Sequence, residues 1–110
     1  MCGIVGIWTS GHGGEQLRAE LAEAVLRLGH RGPDGSGIWS NQCGVAFGHT
    51  RLSIIDLSDN GRQPMTSPDG RHVLVFNGEI YNHAEIRAEL SGKGHSFAGH
   101  SDTEVILAAY

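Results

Sequence analysis

The sequence predicts a single small domain of the α+β class. Short apolar runs bounded by turn residues indicate strands, and one longer segment has the spacing of an amphipathic helix. The composition, 39% hydrophobic and 18% charged, is typical of a folded globular chain. A chain of 110 residues is long enough for one such domain and too short for two ordinary ones.

The first predicted elements are a strand and the clearest helix of the chain. The strand covers residues 4–8, where β-branched residues stand in an apolar run. After a glycine-rich loop at 11–14, the helix covers residues 15–28, and Gly29 is well placed to end it. The apolar residues that share one face of this helix are Leu17, Leu21, Val25 and Leu28.

Two further strands are predicted over residues 36–40 and 45–49. The segment before them, 30–35, contains glycines and a proline and is predicted to be a turn. Between the two strands, Asn41 and Gln42 form a polar turn. In the first half of the chain, one predicted strand therefore precedes the helix and two follow it.

A turn, a strand and two helices are predicted in the second half of the chain. Residues 68–70 form a turn that leads into a strand over 72–77. A short helix follows at 83–90, and Ser101 with Glu104 has the spacing of a capping box that opens a last helix. No capping residue ends that helix, which favours a domain whose C-terminal part is absent from the sequence.

Composition and charge argue against several classes of function. The net charge is −4 and Lys93 is the only lysine, so no basic surface for nucleic acid is expected. No apolar run approaches the ~20 residues of a membrane span, and no signal peptide is evident, so a cytoplasmic location is expected. Cys2 and Cys43 do not make a disulfide framework. The histidines lack the spacing of paired metal ligands, so no metal site is expected.

The start of the chain carries the strongest chemical signal. Cys2 follows the initiator methionine, which is normally removed when so small a residue comes next. The mature first residue would then carry a thiol, the most nucleophilic side chain, and a free α-amine with a pKa near ~8 that can act as its base. The alternative is an accidental cysteine at a frayed terminus.

Three other stretches carry residues suited to binding or catalysis, and each also has a plainer interpretation. Arg51 follows a predicted strand, where it is either a bidentate clamp for a carboxylate or a surface arginine. Asn77 and Gly78 end another strand and form either a turn or a pair of oxyanion-hole donors. Asp102 begins the last helix and either caps it or binds a substrate ammonium group.

Taken in order, these stretches resemble the glutamine-hydrolysing domain of asparagine synthetases, which are class II glutamine amidotransferases. The matching segments are MCGIVGI at 1–7, HRGPDG at 30–35, GHTRLSIIDLS at 48–58, RQPM at 62–65, FNGEIYN at 76–82 and SDTEVIL at 101–107. Each segment is weak alone, but together and in register they are specific. Thr50 departs from the pattern, since this family often has a second basic residue there.

The resemblance implies an N-terminal-nucleophile (Ntn) hydrolase fold, an αββα sandwich of four layers, over residues 2–110. The domain is expected to be incomplete at its C-terminal end. The resemblance further implies a larger synthetase domain, absent here, that binds ATP, Mg²⁺ and aspartate and receives ammonia. No cofactor is expected within these residues, and a homodimer is left open.

The resemblance also implies individual roles. Cys2 is the implied nucleophile, with its own α-amine as the base, and Asn77 with the Gly78 amide forms the implied oxyanion hole. Arg51 would bind the α-carboxylate of L-glutamine, and Asp102 would lie near its α-amino group. The complete implied substrate-binding set is Arg51, Leu52, Ser53, Ile54, Asn77, Gly78, Glu79 and Asp102.

The implied reaction is hydrolysis of L-glutamine to glutamate and ammonia, which supplies nitrogen for ATP-dependent conversion of aspartate to asparagine. Two alternatives stay open at this point. One is a catalytically silent module that binds glutamine or a partner, and the other is an amidotransferase that serves a different acceptor. Arg31 and Asp34 match a motif with an expected structural role.

Overall fold

The computed structural model describes residues 1–10 and 13–110, so the loop predicted around residues 11 and 12 lies outside the described part. The architecture is α+β, as predicted, with helices packed on antiparallel sheets. The strands are β1 (Gly3–Trp8), β2 (Gly35–Ser40), β3 (Val45–Arg51), β4 (Met65–Thr66) and β5 (Val73–Leu74). The helices are α1 (Glu15–Arg27), α2 (His83–Gly92) and α3 (Asp102–Ala109). Within the described ranges, no helix is long and apolar enough to cross a membrane.

The larger sheet has the strand order β1-β3-β2, and both pairings are antiparallel. Gly3 of β1 lies opposite Thr50 of β3, and Gly35 of β2 lies opposite Arg51. The starts of β1 and β2 therefore both lie beside the C-terminal end of β3. The polar turn predicted between β2 and β3 is confirmed, because Asn41 Oδ1 accepts hydrogen bonds from two backbone N–H groups of the turn.

Helix α1 covers one face of this sheet and forms the main apolar core. Leu17, Leu21 and Val25 are 2%, 0% and 6% exposed and pack with Ala46 of β3, as the periodicity predicts. The helix approaches the sheet closely because Gly48 of β3 has no side chain. A Cβ atom at that position would clash with the side chain of Val25.

The opposite face of β3 carries Phe47, His49 and Arg51, since side chains alternate along a strand. Phe47 stacks on Trp39 of β2, with ring centroids 5.8 Å apart. On the same side, the chain that precedes β4 packs on the sheet and would meet any side chain larger than glycine at position 37. This face is thus covered by the second half of the chain rather than by α1.

The smaller sheet pairs β4 with β5 and is shorter than the sequence predicts. The predicted strand 72–77 is wrong beyond Leu74, because its partner β4 has only two residues. Two residues after β5, the N–H of Phe76 bonds instead to the side chain of Gln63 at 2.5 Å. The predicted turn before this strand is confirmed, with Gly70 at a φ of 72° and its N–H bonded to Ser67.

Hydrogen bonds join helix α2 to the start of α3. Ser101 caps α3 as predicted, with its hydroxyl accepting from the N–H of Glu104 at 3.2 Å. The Glu104 carboxylate does not complete a capping box and accepts instead from backbone N–H groups in the loop before Ser101. Arg87 of α2 donates to the carbonyl oxygens of Gly99 and Ser101, both at 2.8 Å, and so fixes the start of α3.

The packing of α1 predicts that two leucine-to-alanine substitutions in this helix will change the free energy of unfolding by very different amounts. Leu21→Ala, at a site that is 0% exposed, should lower the free energy of unfolding by ~3 kcal/mol, because it removes packing and leaves a cavity. Leu26→Ala, at a site that is 80% exposed, is the matched control and should change it by less than ~0.5 kcal/mol. Denaturant unfolding of the full chain that carries this domain measures both, and equal losses would contradict the packing described here.

Candidate active site

A cavity of about 320 Å³ lies on the side of β3 that α1 does not cover. Its walls come from the start of β1, the end of β3 and the loop after it, the segment after β5, and the start of α3. The predicted site residues that line it are Cys2, Arg51, Leu52, Ile54, Asn77, Gly78, Glu79 and Asp102. Ser53 is the one predicted site residue that is not among its lining residues.

The thiol of Cys2 is held against the chain that follows β3. The Leu52 N–H donates to Cys2 Sγ at 3.3 Å, and the thiol faces the Leu52 carbonyl oxygen at 3.7 Å. The next residue is fixed as well, since the Gly3 N–H donates to Thr50 Oγ1 at 3.0 Å. The antiparallel register of β1 and β3 therefore places the sulfur at one wall of the cavity.

Arg51 is the last residue of β3 and turns its guanidinium toward the loop that follows. Nη1 donates to the Ser58 carbonyl oxygen at 2.7 Å, and Nη2 donates to the Asp56 carbonyl oxygen. Gly61 leaves room for this group, because a Cβ atom there would clash with Nη2. A guanidinium has five N–H donors, and these two bonds to the loop use two of them.

Asp34 supports the same loop from outside the cavity. Its Oδ2 accepts from the Ser53 N–H at 2.8 Å, and its own N–H donates to the Arg51 carbonyl oxygen at 2.9 Å. The structural role expected for this aspartate is consistent with these two bonds. The bond from the Ser53 N–H to Asp34 also explains why Ser53, unlike the other predicted site residues, does not line the cavity.

Asp56 is a buried carboxylate that connects the loop after β3 to the start of α3. It accepts from the Ser58 hydroxyl at 2.6 Å and from the backbone N–H groups of His100 and Ser58, each at 2.8 Å. These hydrogen bonds, that of the Ser58 hydroxyl first, lower the pKa of Asp56 from 3.8 to about 2. The charged form is therefore the form that the folded chain favours.

Asn77, Gly78 and Glu79 follow β5 on the other side of the cavity. The ring of Phe76 lies over Gly78, and a Cβ atom there would stand 2.6 Å from Phe76 Cζ. The segment is held at its far end by Asp102, whose Oδ2 accepts from the N–H of the residue after Glu79 at 2.9 Å. Asp102 is 6% exposed, so this hydrogen bond is protected from solvent.

Gln63 and His49 are among the lining residues that were not predicted from the sequence. Gln63 bridges two walls, since its Nε2 donates to Thr103 Oγ1 at 3.2 Å while its Oε1 accepts from Phe76. His49 lies on β3 two residues before Arg51 and is 1% exposed. The shared strand face of His49 and Arg51 was a signal in the sequence that could have identified His49.

The surroundings of the His49 ring favour its neutral form. Burial lowers its pKa from 6.5, and the positive charge of Arg51 lowers it further. The backbone of Phe76 acts in the opposite direction, but no contact to either ring nitrogen meets hydrogen-bond geometry within residues 1–10 and 13–110. His49 is therefore an uncharged polar wall of the cavity.

Comparison with known proteins identifies the family of this chain. A family model for the glutamine amidotransferase domain matches residues 1–110. The chain belongs to this family. All of the segments that form the cavity lie inside the match, so the cavity is a feature of the amidotransferase domain itself.

Several curated relatives match this amidotransferase domain over its whole length. Glutamine-hydrolyzing asparagine synthetase 1 of Bacillus subtilis (strain 168) is 45% identical over 114 residues, which are 17% of its length. Glutamine-hydrolyzing asparagine synthetase B of Escherichia coli (strain K12) is 43% identical over 110 residues, 19% of its length. Amidase chry2 of Gibberella zeae is 39% identical over 120 residues, 18% of its length. The chain thus spans about a fifth of the length of these relatives.

The hydrogen bonds of Asp56 predict a pH-dependent contribution to stability. Asp56→Asn should lower the free energy of unfolding at pH 7 by about 1–2 kcal/mol, because the amide replaces an acceptor of the His100 N–H with a donor. The folded pKa lies below 3.8, so the wild-type advantage is complete above that pH and shrinks as the pH falls toward about 2.

Asp59→Asn is the matched control, because the Asp59 side chain is 84% exposed and forms its ion pair with the exposed Arg62. Urea unfolding of the full chain at pH 7, 5, 4 and 3 measures both variants. A loss for Asp56→Asn that stays constant down to pH 3 would contradict the assignment of the shift to this carboxylate.

Proposed function

We propose that this domain hydrolyses L-glutamine to glutamate and ammonia with Cys2 as an amino-terminal nucleophile. The observation that carries the proposal is the convergence of a thiol, a guanidinium, a carboxamide and a buried carboxylate on one cavity. These groups come from four separate segments of the chain, namely those that contain Cys2, Arg51, Asn77 and Asp102. Family membership supports glutamine as the source of nitrogen.

The nucleophile and its base come from one residue. Met1 is itself among the lining residues and is 70% exposed, so its removal would free the Cys2 amine at the edge of the cavity. An α-amine titrates near pH ~8 and can take the thiol proton near neutral pH. The Leu52 N–H, which already points at Cys2 Sγ, would stabilise the thiolate by a hydrogen bond.

The two ends of glutamine would meet opposite charges. Arg51 would bind the α-carboxylate through N–H donors other than the two bonded to the loop. Asp102 uses one carboxylate oxygen for the Ile80 N–H, which leaves the other for the α-ammonium group. Glu79 would add a second negative charge from the exposed rim of the cavity. A ligand lacking either end group would leave a charge of the site unpaired, which is a source of specificity.

The proposed reaction proceeds through a thioester. The Cys2 thiolate attacks the carboxamide carbon, and the Asn77 side chain and the Gly78 N–H donate to the oxygen that becomes negative. The α-ammonium group of Cys2 gives its proton to the amide nitrogen, the C–N bond breaks, and that nitrogen leaves as ammonia. Water then attacks the thioester, releases glutamate and restores the thiol.

The order of layers supports the Ntn hydrolase fold as part of this proposal. Helix α1 packs on the β1-β3-β2 sheet, the β4-β5 sheet and the cavity lie on its other side, and α3 contacts β4 and α2 beyond that. This order, helix, sheet, sheet, helix, is the order of layers in an αββα sandwich. Cys2 lies at a wall of the cavity, which is the position that an amino-terminal nucleophile would need.

The acceptor of the ammonia is proposed from the relatives. Two of them are named as glutamine-hydrolyzing asparagine synthetases, which supports transfer to aspartate in a reaction that uses ATP and Mg²⁺ in a separate domain. Amidase chry2 carries the same domain under a different name, and this favours a different acceptor as the second candidate. A homodimer remains a prediction.

Removal of the thiol tests the nucleophile. In the full chain that carries this domain, Cys2→Ala should reduce glutamine hydrolysis by at least ~10³-fold, because no other group can form the thioester. Synthesis driven by added ammonia should continue. Cys43→Ala is the matched control, because Cys43 is the exposed cysteine and lies outside the cavity. Glutamate release and intact mass measure the outcome, and hydrolysis that survives in Cys2→Ala, or a mass that retains Met1, would reject the assignment.

Removal of a carboxamide tests the oxyanion hole. Asn77→Ala should lower kcat for glutamine hydrolysis by ~10²–10³-fold with little change in KM, because this donor acts mainly in the transition state. Asn82→Ala, at an exposed residue whose side chain makes no capping hydrogen bond, should leave both constants unchanged. A silent binding module would instead bind glutamine and release no glutamate in the wild type.

A further inference from the structure

His49 is a buried polar side chain that is 1% exposed. The backbone of Phe76 acts on its ring, but no described residue is in hydrogen-bond geometry with either ring nitrogen. A buried polar group without a partner destabilises the folded state, so such groups in native proteins call for an explanation. The ring lines the cavity, which is the space from which a partner can approach it.

The position of His49 on β3 determines what it can reach. Arg51 lies two residues further along the strand, so both side chains leave the sheet on the same face. Its cross-strand partners on either side are Ile4 and Gly37, and neither carries a polar side chain. The neighbouring strands therefore offer the ring no polar side chain, and the cavity that His49 lines is the open space from which a further partner can reach it.

The charged groups that line the cavity affect which protonation form of the His49 ring is favoured. The groups that line it beside His49 are the thiol of Cys2, the cation Arg51, and the carboxylates Asp56, Glu79 and Asp102. Arg51 is the charge that acts on the ring, and together with burial it keeps His49 neutral. A neutral imidazole offers one N–H donor and one acceptor, and the donor suits an anionic group that Arg51 also attracts.

We propose that His49 is a substrate-binding residue whose ring N–H donates a hydrogen bond to the α-carboxylate of the bound amino acid, beside Arg51. This inference rests on the proposed function, because it takes glutamine as the occupant of the cavity. The α-carboxylate of the bound amino acid would then accept hydrogen bonds from two different side chains, His49 and Arg51, on one face of β3. The hydrogen bond to His49 also explains why a polar ring without a partner among the described residues lies at a wall of the cavity.

Affinity measurements test the hydrogen bond. In the full chain, Cys2→Ala prevents turnover, and the Kd of L-glutamine is measured by calorimetry on that background. Adding His49→Phe, which keeps an aromatic ring and removes the donor, should raise Kd by roughly ten- to a hundredfold. His49→Gln, which restores an N–H donor, should stay within about threefold of the parent. His95→Phe, at an exposed histidine away from the cavity, is the matched control and should leave Kd unchanged.

A second measurement uses the native residue and does not depend on how the variants fold. In the Cys2→Ala chain, ¹⁵N NMR of the His49 ring reports its pKa with and without saturating L-glutamine. A carboxylate at hydrogen-bond distance favours the protonated ring, so the ligand should raise the pKa of His49 toward its ordinary value. An unchanged ring pKa and unchanged ring ¹⁵N shifts in the saturated protein would overturn the proposal.

The outcomes separate this inference from the proposed function. If the chain hydrolyses glutamine and His49→Phe binds it as tightly as the parent does, His49 is not a substrate-binding residue and the proposed function stands. If the chain neither binds nor hydrolyses glutamine, the proposed function fails and this inference fails with it. Equal losses in His49→Phe and His49→Gln would show a packing role and would also overturn the assignment of a hydrogen bond.

Discussion

The site depends on the antiparallel register between β1 and β3. Because Gly3 lies opposite Thr50, the residue that precedes β1 meets the residues that follow β3, and Cys2 contacts Leu52. Side chains repeat every second residue along a strand, so a slip of one position would turn Arg51 toward α1 and away from the cavity. The close packing of α1 at Gly48 prevents such a slip, since only glycine fits there.

A second set of contacts holds the loop after β3 in place. Asp34 bonds to both Arg51 and Ser53, and Asp56 bonds to Ser58 and His100. Neither carboxylate is an assigned substrate ligand, but each fixes backbone on which Arg51 depends. Precise placement of a binding group requires such support, because loops held only by solvent-exposed contacts open easily.

Local patterns predicted much of this structure. The spacing of Leu17, Leu21 and Val25 predicted the core face of α1, and the Ser101 hydroxyl caps α3 as its spacing indicates. The extent of the strand after residue 72 was not predictable, because it depends on the length of β4 and on the Gln63 side chain. His49 was not identified for a related reason, since its burial and lack of partners arise from the distant segments that close over β3.

Asp102 has a consequence for how a ligand would be held. One buried carboxylate both fixes the Ile80 N–H and lines the cavity, so under the proposed function the Asn77–Gly78 segment and the proposed amine subsite would share a single charged group. Thermodynamic linkage is reciprocal, so order in that segment and affinity for an ammonium group rise and fall together. An occupant with a free amine would therefore sharpen the alignment of the amide donors opposite the sulfur, whereas one without it would leave them less ordered.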